Sequence, residues 1–194
     1  YDVTVIAYWI NGMAHEEVQN GFNIRRVPLM TKSWTNISII QALKYFEFLI
    51  KALMIIRNIK PDICHGHDPN GLLVAYFVKH FYKCKLIYDS HELWSDSMHM
   101  QGKKKIIFKF GRSIEKLLIK RTDIVITVNN SIADIVRAEN EITSVSIIRN
   151  MPEKSVEKSH YIREELGFPF CKFIIIYVGN IERGRGIGKI IESM

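Results

Sequence analysis

The chain has 194 residues, of which 47% are hydrophobic and 24% are charged. That much apolar material can bury a core, so the composition argues against a disordered protein. The net charge of +7 favours anionic partners, such as nucleotide phosphates, nucleic acid or an anionic membrane surface. The cysteines, Cys64, Cys84 and Cys171, are odd in number and far apart, which argues against a disulfide framework and favours a reducing compartment.

Short apolar runs rich in β-branched residues predict strands that are buried on both faces of a sheet. They lie at residues 2–8, 23–27, 62–66, 85–89, 123–128, 144–148 and 173–178. Segments with helical periodicity separate most of these runs, at residues 34–59, 70–82, 101–121 and 130–140. The alternation of strand and helix predicts an α/β fold with a Rossmann-like, doubly wound parallel sheet.

The order of these elements predicts more than one domain. We expect a first domain at residues 1–152, a polar link at 153–170 and the start of a second domain at 171–194. One strand and one helix cannot bury a core, so we expect the second domain to be truncated. Tyr1 opens a strand-like run without signal-peptide features, and we therefore expect the first domain to be truncated as well.

Polar residues at the carboxyl ends of parallel strands are candidates for a site, because ligands of open sheets collect there. His65 and His67 end one predicted strand, and Asp89 and His91 end the next. The first two alternate along a strand and point the same way, so with Asp68 and His91 they suit a divalent metal, as in a hydrolase. The alternatives are a histidine packed at a sheet edge for His65 and a turn cap for Asp89.

A glycine-rich turn follows the last predicted strand. Its glycines allow the backbone to approach a ligand closely, and the helix behind them directs its amides at an anion. Its arginines add charge suited to a diphosphate. The residues concerned are Gly184, Gly186, Gly188, Arg183 and Arg185.

The segment from Lys103 to Arg121 predicts a basic amphipathic helix. Such a helix either rests on an anionic membrane or covers the sheet and turns its basic face to solvent. No RNA-binding aromatic signature is present, so nucleic acid is not an expected partner. Charged and polar residues interrupt the apolar stretch 37–59, which argues against a membrane span. We expect a cytoplasmic protein, with peripheral contact at the inner face of the membrane as the alternative.

Segments of the sequence, taken in order, resemble the family 4 retaining glycosyltransferases of the GT-B fold. They are PDICHGHD, KLIYDSHELWSD, TDIVITVNNSIADIV, IIRNMP and IIIYVGNIERGRGIGKIIESM. The resemblance implies two facing Rossmann-like domains, of which the first mainly binds the acceptor and the second the nucleotide-sugar donor. It implies transfer of a hexose, with retention and without a metal cofactor, to a glycan or lipid-linked acceptor in polysaccharide biosynthesis.

The resemblance also implies roles for individual residues. His91 matches the family histidine that lies against the donor sugar and diphosphate, so we expect it to be catalytic. Arg185 matches the basic residue that holds the donor phosphates. The other expected donor-binding residues are Gly179, Asn180, Arg183 and Gly186, and the expected acceptor-side residues are His67, Asp68 and Glu92.

The sequence also departs from the family pattern. Asn180 and Arg185 stand where an arginine and a lysine are more usual, which alters the donor phosphate contacts. The paired glutamates of the second domain lie beyond Met194 and the acceptor-side glycine-rich loop is missing, so we expect this fragment alone to be inactive. Two alternatives to a transferase stay open: a metal-dependent hydrolase using His65, His67 and His91, and a non-catalytic sugar-nucleotide-binding module.

Overall fold

The structure is a computed structural model that describes residues 1–35, 37–91, 104–151, 161–179, 181 and 186–194. Of these, the residues up to Arg149 form one compact unit and those from Asn150 onward form another. The first unit contains β1 (Thr4–Tyr8), β2 (Glu16–Gln19), β3 (Phe22–Val27), α1 (Ser38–Ile59), β4 (Ile63–His67), α2 (Asp68–Tyr82), β5 (Lys85–Ser90), α3 (Lys104–Ile119), β6 (Ile124–Thr127), α4 (Asn130–Asn140) and β7 (Val145–Ile147). The second contains α5 (Tyr161–Glu165) and α6 (Ile187–Glu192).

The first unit holds two sheets. β4, β5, β6 and β7 lie side by side in chain order and all run parallel, with α2, α3 and α4 as the connections. In the other sheet β3 lies between β1, which is parallel to it, and β2, which is antiparallel. The parallel sheet with helical crossovers confirms the Rossmann-like α/β fold predicted from the sequence.

Strand β2 was absent from the predicted elements. It forms a hairpin with β3 through the two-residue loop Asn20–Gly21, in which both residues have positive φ, 51° and 83°. Asn-Gly is the preferred sequence for such a turn, because both residues tolerate the left-handed conformation that it needs. The dipeptide itself was therefore the signal that sequence reasoning overlooked.

One face of the parallel sheet packs on the helices. Leu86 and Tyr88 of β5 and Val125 of β6 are fully buried there against side chains of α2, α3 and α4. The partners of these strand residues are Leu72, Ala75, Leu118, Ile119 and Val136. A second cluster joins α1 and α2 to Val27 at the end of β3. Burial of these two clusters supplies the hydrophobic stabilisation of the unit.

The opposite face of the parallel sheet is more open than predicted. Side chains alternate along a strand, so Ile63, Ile87 and Ile124 point away from the helix-covered face. Ile63 is 51% exposed and Ile124 is 40% exposed. The prediction that these strands are buried on both faces is therefore wrong for this part of the described sheet.

The predicted strand at residues 173–178 is also absent. These residues adopt no regular secondary structure, and Phe173 and Val178 are 92% and 90% exposed. A strand is stabilised by hydrogen bonds to a neighbouring strand, and none of the described strands pairs with this segment. Its apolar, β-branched composition alone was the basis of the prediction.

The connection from β4 to α2 is unusually tight. The helix begins at Asp68, immediately after the strand, and Asp68 has a φ of 56°, a left-handed conformation that a short polar side chain tolerates. Gly66 and Gly71 face each other across this junction. A Cβ atom on Gly66 would lie 2.7 Å from the backbone oxygen of Gly71, so only glycine allows the helix to approach the strand this closely.

Replacing Gly66 by alanine should therefore destabilise the fold. The added methyl group meets backbone rather than a side chain that could move aside, and we expect a loss of about 1–3 kcal/mol in the free energy of unfolding, measured by urea denaturation. The matched control is Gly111→Ala in α3, where the new Cβ meets open space and alanine favours the helix. Equal stability of the two variants would contradict the close approach.

A partly buried carboxylate fixes the segment between β3 and α1. Glu47 of α1 accepts hydrogen bonds from the backbone amides of Met30 and Thr31, at 2.7 and 3.1 Å, and from the Thr31 hydroxyl at 2.7 Å. Lys51, one turn later, donates to it at 2.6 Å. Desolvation raises the pKa of the Glu47 carboxyl, but the hydrogen bonds outweigh it and lower the pKa from 4.5 to about 2.

This lowered pKa predicts a pH-dependent contribution to stability. The unfolded chain binds a proton at Glu47 more readily than the folded chain, so the stabilisation is present above about pH 5 and is lost as pH falls towards 2. We expect Glu47→Gln to be less stable than the parent at pH 7, by a margin that shrinks between pH 5 and pH 2 in urea titrations. Glu16→Gln, at a 71% exposed side chain, is the control and should change stability little at any pH. A margin for Glu47→Gln that is constant with pH would refute the assignment.

Candidate functional site

Three imidazoles converge on one carboxylate oxygen at the carboxyl end of β4 and β5. The Oδ2 atom of Asp89 lies 3.4 Å from His65 Nε2, 3.3 Å from His67 Nδ1 and 3.4 Å from His91 Nε2. His67 Nδ1 and His91 Nε2 are themselves 3.4 Å apart. We call His65, His67, Asp89 and His91 the histidine cluster.

Strand geometry explains why these residues meet. His65 and His67 alternate on β4, so their rings lie on the same face, stacked with centroids 4.4 Å apart. The parallel register places His67 opposite Asp89 of β5. His91 follows β5 directly, and its ring stacks on that of His67 with centroids 5.7 Å apart. The predicted grouping of His65, His67 and His91 is therefore found in the structure, with Asp89 in place of the predicted Asp68 as its carboxylate.

Asp89 was a candidate site residue at the end of its strand, with a cap on the following turn as the alternative, but its central place in the cluster was not predicted. Its side chain is only 13% exposed, whereas the imidazoles of His65, His67 and His91 are 40–61% exposed. Matching the ends of the two neighbouring strands would have identified it, since His67 and Asp89 are the last pair in the register of β4 and β5.

The surroundings of His65 alter the titration of its ring. Partial burial lowers its pKa because the charged ring loses hydration, and the neighbouring His67 lowers it further. The Asp89 carboxylate opposes these effects without cancelling them. The pKa of His65 is consequently held below its ordinary value.

The predicted acceptor-side residues do not all join this cluster. His67 does, whereas the charge of Asp68 acts on a different pair, in which the Tyr88 hydroxyl donates to Glu115 at 2.6 Å. Burial is the main cause that raises the pKa of both groups of that pair, and Asp68 adds to it. Glu92 lies outside the described residues.

The predicted donor-binding residues belong to the second unit. Gly179 and Gly186 have φ values of 153° and 73°, conformations that favour glycine, and Gly186 directly precedes α6. Asn180, Arg183 and Arg185 lie outside the described residues. Glycine is thus favoured at both of these described positions, and donor binding there stays a prediction.

The predicted basic helix is α3, and part of its charge is paired. Arg112 and Lys116 bind Glu139 of α4 at 2.5 and 3.1 Å, and Lys120, just after α3, lies 3.7 Å from Glu141. Lys103 and the side chains of residues 104–110 lie outside the described residues. Within the described ranges, no helix is long and apolar enough to cross a membrane.

Solved structures share this fold. Sucrose-phosphate synthase from Thermosynechococcus elongatus has a TM-score of 0.76 at 15% identity, with 98% of this chain and 49% of that chain covered. A second structure of that synthase has a TM-score of 0.60 at 11% identity, with 86% of this chain and 83% of that chain covered. The chain thus spans about half the length of the first of these structures, and identities this low show the fold alone.

The sequence comparison is more specific than the structural one. No curated protein matches the sequence. The family model of Glycosyltransferase Family 4 matches residues 1–151, a range that holds every described strand of both sheets and the whole histidine cluster. The chain therefore belongs to glycosyltransferase family 4.

Proposed function

We propose that the protein transfers a hexose from a nucleotide-sugar donor to a glycan or lipid-linked acceptor, with retention of configuration and without a metal cofactor. The observation that carries the proposal is the histidine cluster, which lies at the carboxyl ends of parallel strands in a chain of family 4. Ligands of open α/β sheets bind at this edge. Polysaccharide biosynthesis is the process in which we expect this activity.

His91 is the proposed catalytic residue. It follows β5 directly and its side chain is 43% exposed, so a ligand can reach it. An imidazole N–H can donate a hydrogen bond to a sugar hydroxyl or a phosphate oxygen. Asp89, two residues earlier and largely buried, lies 3.4 Å from His91 Nε2 and is suited to hold the ring in place.

The negative charge that develops during sugar transfer explains why the site needs hydrogen-bond donors such as the His91 imidazole. Departure of the nucleotide leaves negative charge on its diphosphate, and groups already aimed at that charge stabilise the transition state more than the ground state. The proposal assigns this role to His91 together with the glycine-rich turn of the second unit. The residues of that turn are Gly179, Asn180, Arg183, Arg185 and Gly186.

The remaining assignments concern the acceptor and the location. The proposal places His67, Asp68 and Glu92 on the acceptor side of the site. Free cysteines, among them the partly buried Cys64, support a reducing compartment such as the cytoplasm. The proposal assigns contact with an anionic membrane to basic residues of α3 other than Arg112 and Lys116, which already bind Glu139.

Replacing His91 tests the proposed role. In an active form that contains this chain and a complete second domain, we expect His91→Ala to lower kcat by about 10²-fold or more, because a transition-state contact is lost. The matched control is His80→Ala, which removes an exposed imidazole of α2 outside the histidine cluster and should leave kcat unchanged. Far-UV circular dichroism of both variants checks that the fold is intact.

Two outcomes would decide against the proposal. Normal turnover of His91→Ala would remove this residue from the reaction. Donor binding without any transfer, in a form with a complete second domain, would favour a non-catalytic sugar-nucleotide-binding module. For the 194 residues alone we expect no transfer, because the paired glutamates that the family resemblance implies are not among them.

A further inference from the structure

The contacts inside the histidine cluster are long for hydrogen bonds. A charge-assisted N–H···O bond is typically about 2.7–2.9 Å long. The three nitrogens around Asp89 Oδ2 lie at 3.3, 3.4 and 3.4 Å instead. A single imidazole that donates its proton to a carboxylate would give one short N···O distance. The cluster instead has three nearly equal and long N···O distances to one oxygen.

These distances do match the separation of atoms around a tetrahedral metal ion. Zinc binds imidazole nitrogen and carboxylate oxygen at about 2.0–2.1 Å, and a tetrahedron with those bonds separates its ligand atoms by about 3.3–3.4 Å. His67 Nδ1, Asp89 Oδ2 and His91 Nε2 lie 3.3–3.4 Å from one another, as the three ligand atoms on one face of such a tetrahedron do. His65 Nε2 lies 3.4 Å from Asp89 Oδ2, and the stacked rings of His65 and His67 must turn before both can point a nitrogen at one ion. The ligand atoms of His65, His67 and Asp89 all lie within 4.8 Å of one another.

The surroundings of the cluster allow an ion to enter. The three imidazoles are 40–61% exposed, so they can turn about their side-chain bonds to converge on a metal. Asp89 is held by β5 and is largely buried, which fixes one ligand in advance. Imidazole nitrogens together with a carboxylate suit first-row transition metals, whereas Mg²⁺ and Ca²⁺ prefer oxygen ligands.

We propose that the histidine cluster is a binding site for a divalent transition-metal ion, Zn²⁺ in the first instance, with His65, His67, Asp89 and His91 as ligands. The site goes beyond sugar transfer and does not depend on it. One consequence rests on the proposed function: a bound ion occupies the imidazole of His91, so Zn²⁺ inhibits transfer by competing with the donor for that side chain.

Calorimetric titration tests the site directly. The untagged chain is freed of metal with a chelator and titrated with ZnCl₂ at pH 7, and we expect saturable binding of one ion per chain. Replacing Zn²⁺ by Co²⁺ should give the visible absorption bands of a tetrahedral nitrogen and oxygen site. Addition of MgCl₂ at the same concentration should not displace the bound Co²⁺.

Variants assign the binding to the cluster. We expect His67→Ala and Asp89→Asn each to weaken Zn²⁺ binding at least about 10-fold, since even groups that only support a ligand have effects of this size. His80→Ala is the matched control and should bind as the parent does. Circular dichroism shows whether each variant is folded, and His67 is an exposed side chain whose loss is not expected to unfold the chain.

The binding results either support or overturn a metal site at the histidine cluster. Absence of saturable Zn²⁺ binding, or equal affinity in His67→Ala and the parent, would overturn the site. Binding that is weakened in His67→Ala but not in His80→Ala would support it. The titration needs no donor or acceptor, so its result is independent of whether the protein transfers sugar.

Discussion

The close approach of Gly66 and Gly71 is the contact on which the site depends. It lets α2 lie directly against β4, so that the strand can end at His67 and the helix can begin at Asp68. The parallel pairing of β4 with β5 then places His67 opposite Asp89. A larger residue at Gly66 would push the helix away and move the end of the strand that carries two of the three histidines.

Much of the fold follows from local sequence patterns. Apolar runs and helical periodicity predicted β1, β3 to β7 and α1 to α4 close to their observed positions, because buried parallel strands and amphipathic helices have distinct spacings. The segment 173–178 has the composition of a strand but lacks a partner among the described strands, and pairing is not a local property. The Asn20–Gly21 hairpin was a local signal that reasoning from long apolar runs did not use.

Only part of the histidine cluster could be predicted from the sequence. The alternation of His65 and His67, and the position of His91 after a strand, predicted that these rings lie together. The central place of Asp89 depends on the register between two strands more than 20 residues apart, which no local pattern specifies. The buried Tyr88–Glu115 pair, which joins β5 to α3, depends on tertiary packing in the same way.

The junction at Asp68 also constrains how this protein can diverge in evolution. Helix α2 follows β4 without a connecting loop, so an inserted or deleted residue there would change how the helix packs on the strand end that carries His67. Loops elsewhere tolerate changes of length at little cost. Changes around the histidine cluster are therefore expected to arise through point substitutions at this edge of the sheet, and changes of length in segments that do not carry the histidines.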